Sequence, residues 1–150
     1  MNAKIIKTLI ILVIVILLIP YGRNHTNPQV VSEPEWNSLE TRDLFFQACK
    51  DCHSNETEWP WYSNIPPISW LIQHDVNEGR EHFNVSMWGV QKNNEGEEAA
   101  EELQEGEMPP WFYFIPPQHQ RLSEKNKKKL FAGLIATFGE EKDHDEHDGD

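Results

Sequence analysis

The only two cysteines in the 150-residue chain, Cys49 and Cys52, stand three residues apart, and His53 follows the second at once. Such a trio serves haem attachment, a redox dithiol, half a zinc site or a structural disulfide. Zinc needs four ligands, and no second cysteine pair exists. A thioredoxin-like dithiol belongs in a βαβ setting, which a helically patterned chain lacks. A plain disulfide leaves His53 unexplained. The C-x-x-C-H order reads as c-type haem attachment. One helical turn separates the thiols, so both sulfurs reach the two vinyl groups on one porphyrin edge. His53, four residues after Cys49, turns its ring to the iron from the same turn.

Haem iron held by one histidine takes a sixth ligand, and methionine in that place raises the potential. Of three methionines, Met1 lies at the apolar N-terminus and Met87 in "NVSMWG". Met108, in "EGEMPPWFY" 55 residues after His53, is the expected ligand because two prolines stiffen its backbone. Filling a core gap is its alternative role. His74 and His82 compete for the same place, or lie on a solvent-facing helix surface. Six Trp, seven Phe and three Tyr are many for so small a domain, and loops rich in Trp and Pro make poor cores unaided. Trp59, Trp61, Tyr62 and Trp70 are therefore expected to wall the porphyrin, their polar protons reaching its propionates. Arg80 and Arg121 are candidate propionate partners, or solvated surface residues. Backbone carbonyls near Pro66 or Pro67 are candidate acceptors for the second ring proton of His53.

The elements that position these residues follow from periodicity and caps. A helix starting near Glu35 or Ser38 runs through "SLETRDLFFQACKDCH", with Leu39, Phe46 and Cys49 at helical spacing and Leu44 and Phe45 widening that face. "WPWYSNIPP" holds three prolines in nine residues and must loop. Helical spacing resumes in "ISWLIQHDVNEGREHF" and weakens at Gly79. "EGEEAAEELQEG" reads as a third helix ended by Gly106. The last begins at Ser123 as N-cap, points Leu130, Leu134, Ile135 and Phe138 inward, and stops at Gly139. With neither repeats nor strand alternation, the fold class is mostly α, a small helical domain with long Pro/Trp-rich loops.

The ends carry different messages. Residues 1–23 place Lys4 and Lys7 before an apolar run from Thr8 to Ile19, which reads as a signal anchor or signal peptide. No small-residue cleavage site follows, so retention is expected, with the domain in the periplasm or cell exterior. Residues 24–34, polar with two prolines, read as a linker to a domain over 35–139. Residues 140–150 hold seven acids and one lysine and read as a disordered tail, with His144 and His147 solvated rather than metal-binding. All 25 acids lie beyond residue 23, against ten Lys and Arg there, a net charge of −15. Nucleic acid is excluded as a partner, since phosphate binding needs basic surface.

The stretch "CKDCHSNETEWPWYSNIPPISWLIQHDVNEGREHF", followed by "GEMPPWFY" and "RLSEKNKKKL", resembles the small bacterial haem-binding domain family of cytochrome c-like proteins. The resemblance covers about residues 35–138 and rests on C-x-x-C-H-S-N-x-T-x-W-P-W-Y, far more than the haem pentapeptide. It implies one covalently attached haem c, with Cys49 and Cys52 as attachment residues and His53 as proximal ligand. Met108 matches the Met-Pro of cytochrome c-like folds. "ETEWPWYSNIPPISW" departs from the loop of ordinary small cytochromes c. The expected function is one-electron transfer by a membrane-tethered, non-enzymatic carrier, with a redox partner bearing a basic docking patch. Alternatives are a gas or redox sensor or peroxidase-like enzyme with an open sixth site, and a haem-free thiol–disulfide module.

Overall fold

The computed structural model describes residues 2–114 and 119–139. Along the chain come α1 (Ala3–Leu18), α2 (Leu39–Ala48), α3 (Lys50–His53), α4 (Ile68–His82), α5 (Ala99–Glu105) and α6 (Glu124–Phe138). Single 3₁₀ turns at Trp61–Asn64, Gly96–Glu98 and Trp111–Phe114 lie between them. The described residues form no strand, only an isolated parallel bridge between Ser32 and Met87. The fold is mostly helical, as expected.

Local chemistry sets the boundaries. Ser38 accepts from the Thr41 amide at 3.1 Å and starts α2, and Ser123 accepts from that of Asn126 at 3.2 Å and starts α6. These bonds satisfy amides that have no partner inside the helix. Gly106 ends α5 at φ 84°, where a side chain is disfavoured.

The apolar faces of α2, α5 and α6 meet the segment after α4. Leu44, Phe45, Phe83, Val85, Leu103, Leu130 and Leu134 form one buried cluster, flanked by Trp36, Trp88 and Phe138. Phe138 meets Phe83 edge-on at 5.2 Å between centroids and Trp88 at 4.8 Å. Helix α2 lies against α6 so closely that a Cβ at Gly133 would stand 2.2 Å from Thr41 Oγ1.

Two expectations change. Helix α4 runs through Gly79 to His82, because Gly79 is buried in a helix contact rather than exposed to solvent. Residues 24–34 do not hang free. They lie along the domain as a strap: Val31 and Ser32 donate backbone amides to Ser86, Asn55 Nδ2 donates to the Gln29 carbonyl at 3.0 Å, and His25 stacks on Trp59 at 4.6 Å. Among the described residues no helix is long and apolar enough to cross a membrane. The 16 residues of α1 span about 24 Å against a hydrocarbon core of roughly 30 Å, and none of them is buried. The expected tail, residues 140–150 with His144 and His147, lies outside the described residues.

The α2–α6 contact makes a test whose sign is opposite to helix propensity. In an open helix Gly→Ala stabilises by about 1 kcal/mol. Gly133→Ala should instead destabilise by roughly 1–3 kcal/mol, because the methyl overpacks against buried Thr41. Thermal melting of the purified protein checks it, and a raised melting temperature would contradict the close packing.

Candidate functional site

Cys49 ends α2, donating its amide to Phe45 at 2.8 Å, and opens α3, accepting from the amides of Cys52 and His53 at 3.3 and 3.0 Å. The residues after the pentapeptide brace this turn. Ser54 Oγ donates to the Lys50 carbonyl and Thr57 Oγ1 to that of Asp51, both at 2.7 Å. Asn55 donates its backbone amide to Ser86 Oγ and accepts the Asn84 side-chain amide at Oδ1. The Ser-Asn-x-Thr extension of the motif is thus a scaffold that holds Cys49, Cys52 and His53 in register.

His53 is gripped from α4. Its Nδ1 lies 3.0 Å from the Phe83 carbonyl oxygen and 3.2 Å from that of Gly79. Both neighbours only accept, so Nδ1 carries the proton and Nε2 keeps its lone pair. Burial holds the ring well below the usual histidine pKa, in the neutral form that binds metals. These carbonyls replace those near Pro66 and Pro67 as the orienting acceptors. The grip needs Gly79: a Cβ there would stand 2.6 Å from the Cys52 carbonyl oxygen.

Cys49, Cys52, His53 and Met108 line one open cavity of about 440 Å³, together with apolar Phe45, Ala48, Phe83, Leu103, Phe112 and Leu134. Both cysteines are free thiols. Burial pushes the Cys49 thiol up to about 12, with a further push from Cys52. Burial also raises Cys52 to about 12, and the nearby charges of Asp75 and Asp51 add to it. Met108 is 42 % exposed, on a loop fastened to α5 by the amides of Gly106, Glu107 and Met108, which converge on the Glu102 carbonyl at 3.1–3.2 Å.

A link that sequence reasoning missed ties this loop to the motif. Tyr113 donates its hydroxyl to Asp51 Oδ2 at 2.8 Å, and the His119 ring packs on Tyr113 at 4.1 Å. Burial, then the charge of Asp51, raises the Tyr113 pKa and keeps it protonated as a donor. Asp51 is the second variable residue of C-x-x-C-H, so the motif itself holds the wall that carries Met108. Only the tyrosine in "MPPWFYF" hinted at this pairing.

Other expected residues lie elsewhere. Trp59, Trp61, Tyr62 and Trp70 do not line the cavity. Trp59 stacks on His25, Trp61 is 76 % exposed, and Trp70 Nε1 is buried without a hydrogen-bond partner among the described residues. Trp59, Trp61 and Tyr62 lie on the loop and 3₁₀ turn before α4, which contacts that helix, and Trp70 lies in its first turn, whereas the cavity opens beside the later turns. Arg80 spends its guanidinium on the Ser54 and Thr26 carbonyls, Asn27 Oδ1 and Thr57 Oγ1, clamping the strap. Arg121 lies over the Phe114 ring at 4.7 Å. Met87 is in the bridge to Ser32. His74 and His82 do line the cavity, at its acidic rim with Asp75, Glu78, Glu95, Glu98 and Glu102. His82 donates to Glu95 across 3.1 Å, which raises its pKa.

A family profile described as a haem-binding domain matches residues 11–135. The chain belongs to this haem-binding domain family. No curated protein and no solved structure matched it. The cavity fits a haem by its own chemistry: apolar walls for a flat ring, a neutral histidine with a free Nε2, and two unpaired thiols one turn away. Members of the haem-binding domain family are thus represented here by a helical frame that converges on one turn.

If Asp51 holds the Met108 wall, Tyr113→Phe should lower stability by roughly 1–2 kcal/mol, the value of a hydrogen bond to a charged group. Urea unfolding measures it. Unchanged stability, with unchanged protease resistance of residues 107–114, would show that the wall stands without the bond.

Proposed function

We propose that this haem-binding protein is a c-type one-electron carrier, tethered by its N-terminal segment with the domain outside the cytoplasm. The observation that carries the reading is that Cys49, Cys52, His53 and Met108, far apart in part along the chain, line one cavity. Cys49 and Cys52 would hold one haem c through thioether bonds, and His53 Nε2 and Met108 would hold its iron. Haem so held supplies reversible one-electron chemistry, with methionine favouring the reduced state.

The protein's own groups do the rest. Carbonyls of Gly79 and Phe83 fix the His53 ring and raise its basicity through the Nδ1 proton. The Glu102 carbonyl and Asp51 hold the loop that presents Met108. Apolar walls exclude water and lower the local dielectric. The carboxylates of Asp75, Glu78, Glu95, Glu98 and Glu102 at the rim offer a docking field for a partner with a basic patch. We assign no catalytic residue. The raised thiol pKa values oppose the thiol–disulfide alternative, because exchange chemistry needs thiolate.

Two measurements test the reading. Protein matured with haem-attachment machinery should keep its haem colour through denaturing electrophoresis, and Cys49→Ser/Cys52→Ser should lose it. A colourless wild-type band would end the covalent assignment.

The exposure of Met108 favours one second reading, a labile sixth site that admits gas or peroxide. Carbon monoxide added to the reduced protein separates the two. An unchanged spectrum, with a sulfur-to-iron band in the oxidised protein that vanishes in Met108→Ala, supports the carrier. Fast stoichiometric binding to wild type would put the sensor or enzyme first.

A further inference from the structure

A quarter of this chain is charged, yet residues 59–74, "WPWYSNIPPISWLIQH", hold no Asp, Glu, Lys or Arg. The stretch contains three of the six tryptophans, none of which faces the cavity. It forms the 3₁₀ turn Trp61–Asn64 and the first half of α4. Large apolar side chains point outward there: Trp61 is 76 % exposed, and Ile65, Ile68 and Leu71 are between 40 and 45 %. Single exposed apolar residues are ordinary, but four around one uncharged turn call for a partner.

The segment between α1 and the strap points to that partner. Immediately after α1, Tyr21 and Gly22 dock on the same turn of α4: Ser69 Oγ donates to the Tyr21 carbonyl at 3.3 Å, and a Cβ at Gly22 would stand 2.1 Å from the Ser69 carbonyl oxygen. Gly22 has φ 78°, so a side chain there is disfavoured twice. Arg23 turns back and donates to the Leu17 carbonyl at 2.7 Å, putting a cation at the C-terminal end of α1, where it suits both the helix dipole and a headgroup layer. The exposed apolar helix α1 and the exposed apolar turn of α4 therefore adjoin.

We infer that the face formed by Trp61, Ile65, Ile68 and Leu71 is a lipid-interface surface that seats the domain on the bilayer entered by α1. Tryptophan favours the membrane interface, where its ring meets apolar tails and its indole N–H meets water and headgroups. The absence of charge in residues 59–74 removes the desolvation cost of contact, and the absence of cations there means that anionic lipid is not required. Helix α4 then runs from the bilayer towards water. Its later residues His74, Asp75, Glu78 and His82 reach the cavity rim, which stays open to a soluble partner. The inference rests on the tethered reading and adds how the domain is seated.

The test uses the full chain in phosphatidylcholine vesicles, with flotation as the first readout and quenching of tryptophan emission by lipids brominated on their acyl chains as the second. Wild type should float and be quenched, Trp61→Phe should float and lose most of that quenching, and Trp111→Phe should keep it. Trp111, 70 % exposed between the cavity-lining Pro110 and Phe112, is the control outside residues 59–74. Protein that stays at the bottom of the gradient would overturn the tether and this face with it. Protein that floats but is quenched equally in Trp61→Phe would overturn the face alone. Loss of self-association in detergent on Trp61→Phe, without lipid quenching in wild type, would assign the face to a second copy and overturn the lipid assignment.

Discussion

The approach of α4 to the Cys49–His53 turn at Gly79 is the constraint on which the rest of this protein depends. A methyl group there would collide with both the backbone and the Cβ of Cys52. Glycine costs a helix about 1 kcal/mol relative to alanine, so the position gives up local stability for contact. The contact brings the Gly79 and Phe83 carbonyls to His53 Nδ1 and fixes the tautomer and plane of the ring. The next residue, Arg80, crosses the same seam to Ser54 and Thr57 and collects the strap at Thr26 and Asn27. Val85 then donates its amide to the His53 carbonyl at 2.9 Å. One seven-residue stretch thus sets the ring, the turn and the N-terminal strap together.

The opposite wall depends on the two residues between the cysteines. Asp51 receives Tyr113 on one oxygen and the Glu58 amide, at 2.9 Å, on the other. Lys50 bridges to Glu58 at 2.8 Å and to the Glu56 carbonyl at 3.3 Å. The variable positions of the motif therefore brace the loop that follows it and the loop that closes over it. The cavity lies between a wall held by α4 carbonyls and a wall held by a carboxylate of the motif.

What could be read from the chain divides by sequence separation. The caps at Ser38 and Ser123, the stop at Gly106 and the inward face of α6 are local, and the structure shows them where cap chemistry and periodicity put them; on α2 only part of the expected face is inward, Leu44 and Phe45 being buried while Leu39 is 80 % exposed. The cysteines and histidine stood out because their spacing is itself chemical, and the structure brings them to one cavity. Asp51–Tyr113, 62 residues apart, and Arg80–Asn27, 53 apart, carry no local signature. Gly79 looked like a helix breaker because the reason for it lies on another element. The tryptophans near Pro60 were drawn to the haem by their aromaticity. Their surroundings, uncharged and apart from the acidic rim, argue for the opposite end of α4, and only the fold shows those two ends separated.

The same distribution of charge has a further consequence at the cavity. Reactive cysteines stand beside cations or helix N-termini that stabilise thiolate. Here Cys52 faces Asp75 and Asp51 in a buried setting, and Cys49 is desolvated against Phe45 and Ala48, so both thiols stay protonated. Desolvation also raises the pKa of Asp75 itself, which shows how far the apolar walls reach. Before any cofactor binds, burial holds both thiols in their less reactive state, and Asp75 of the acidic rim adds to that at Cys52. An apolar cavity with two free, quiet thiols and a neutral, oriented imidazole is poorly built for exchange chemistry. It is well built to keep two sulfurs and one nitrogen intact for a flat apolar ring.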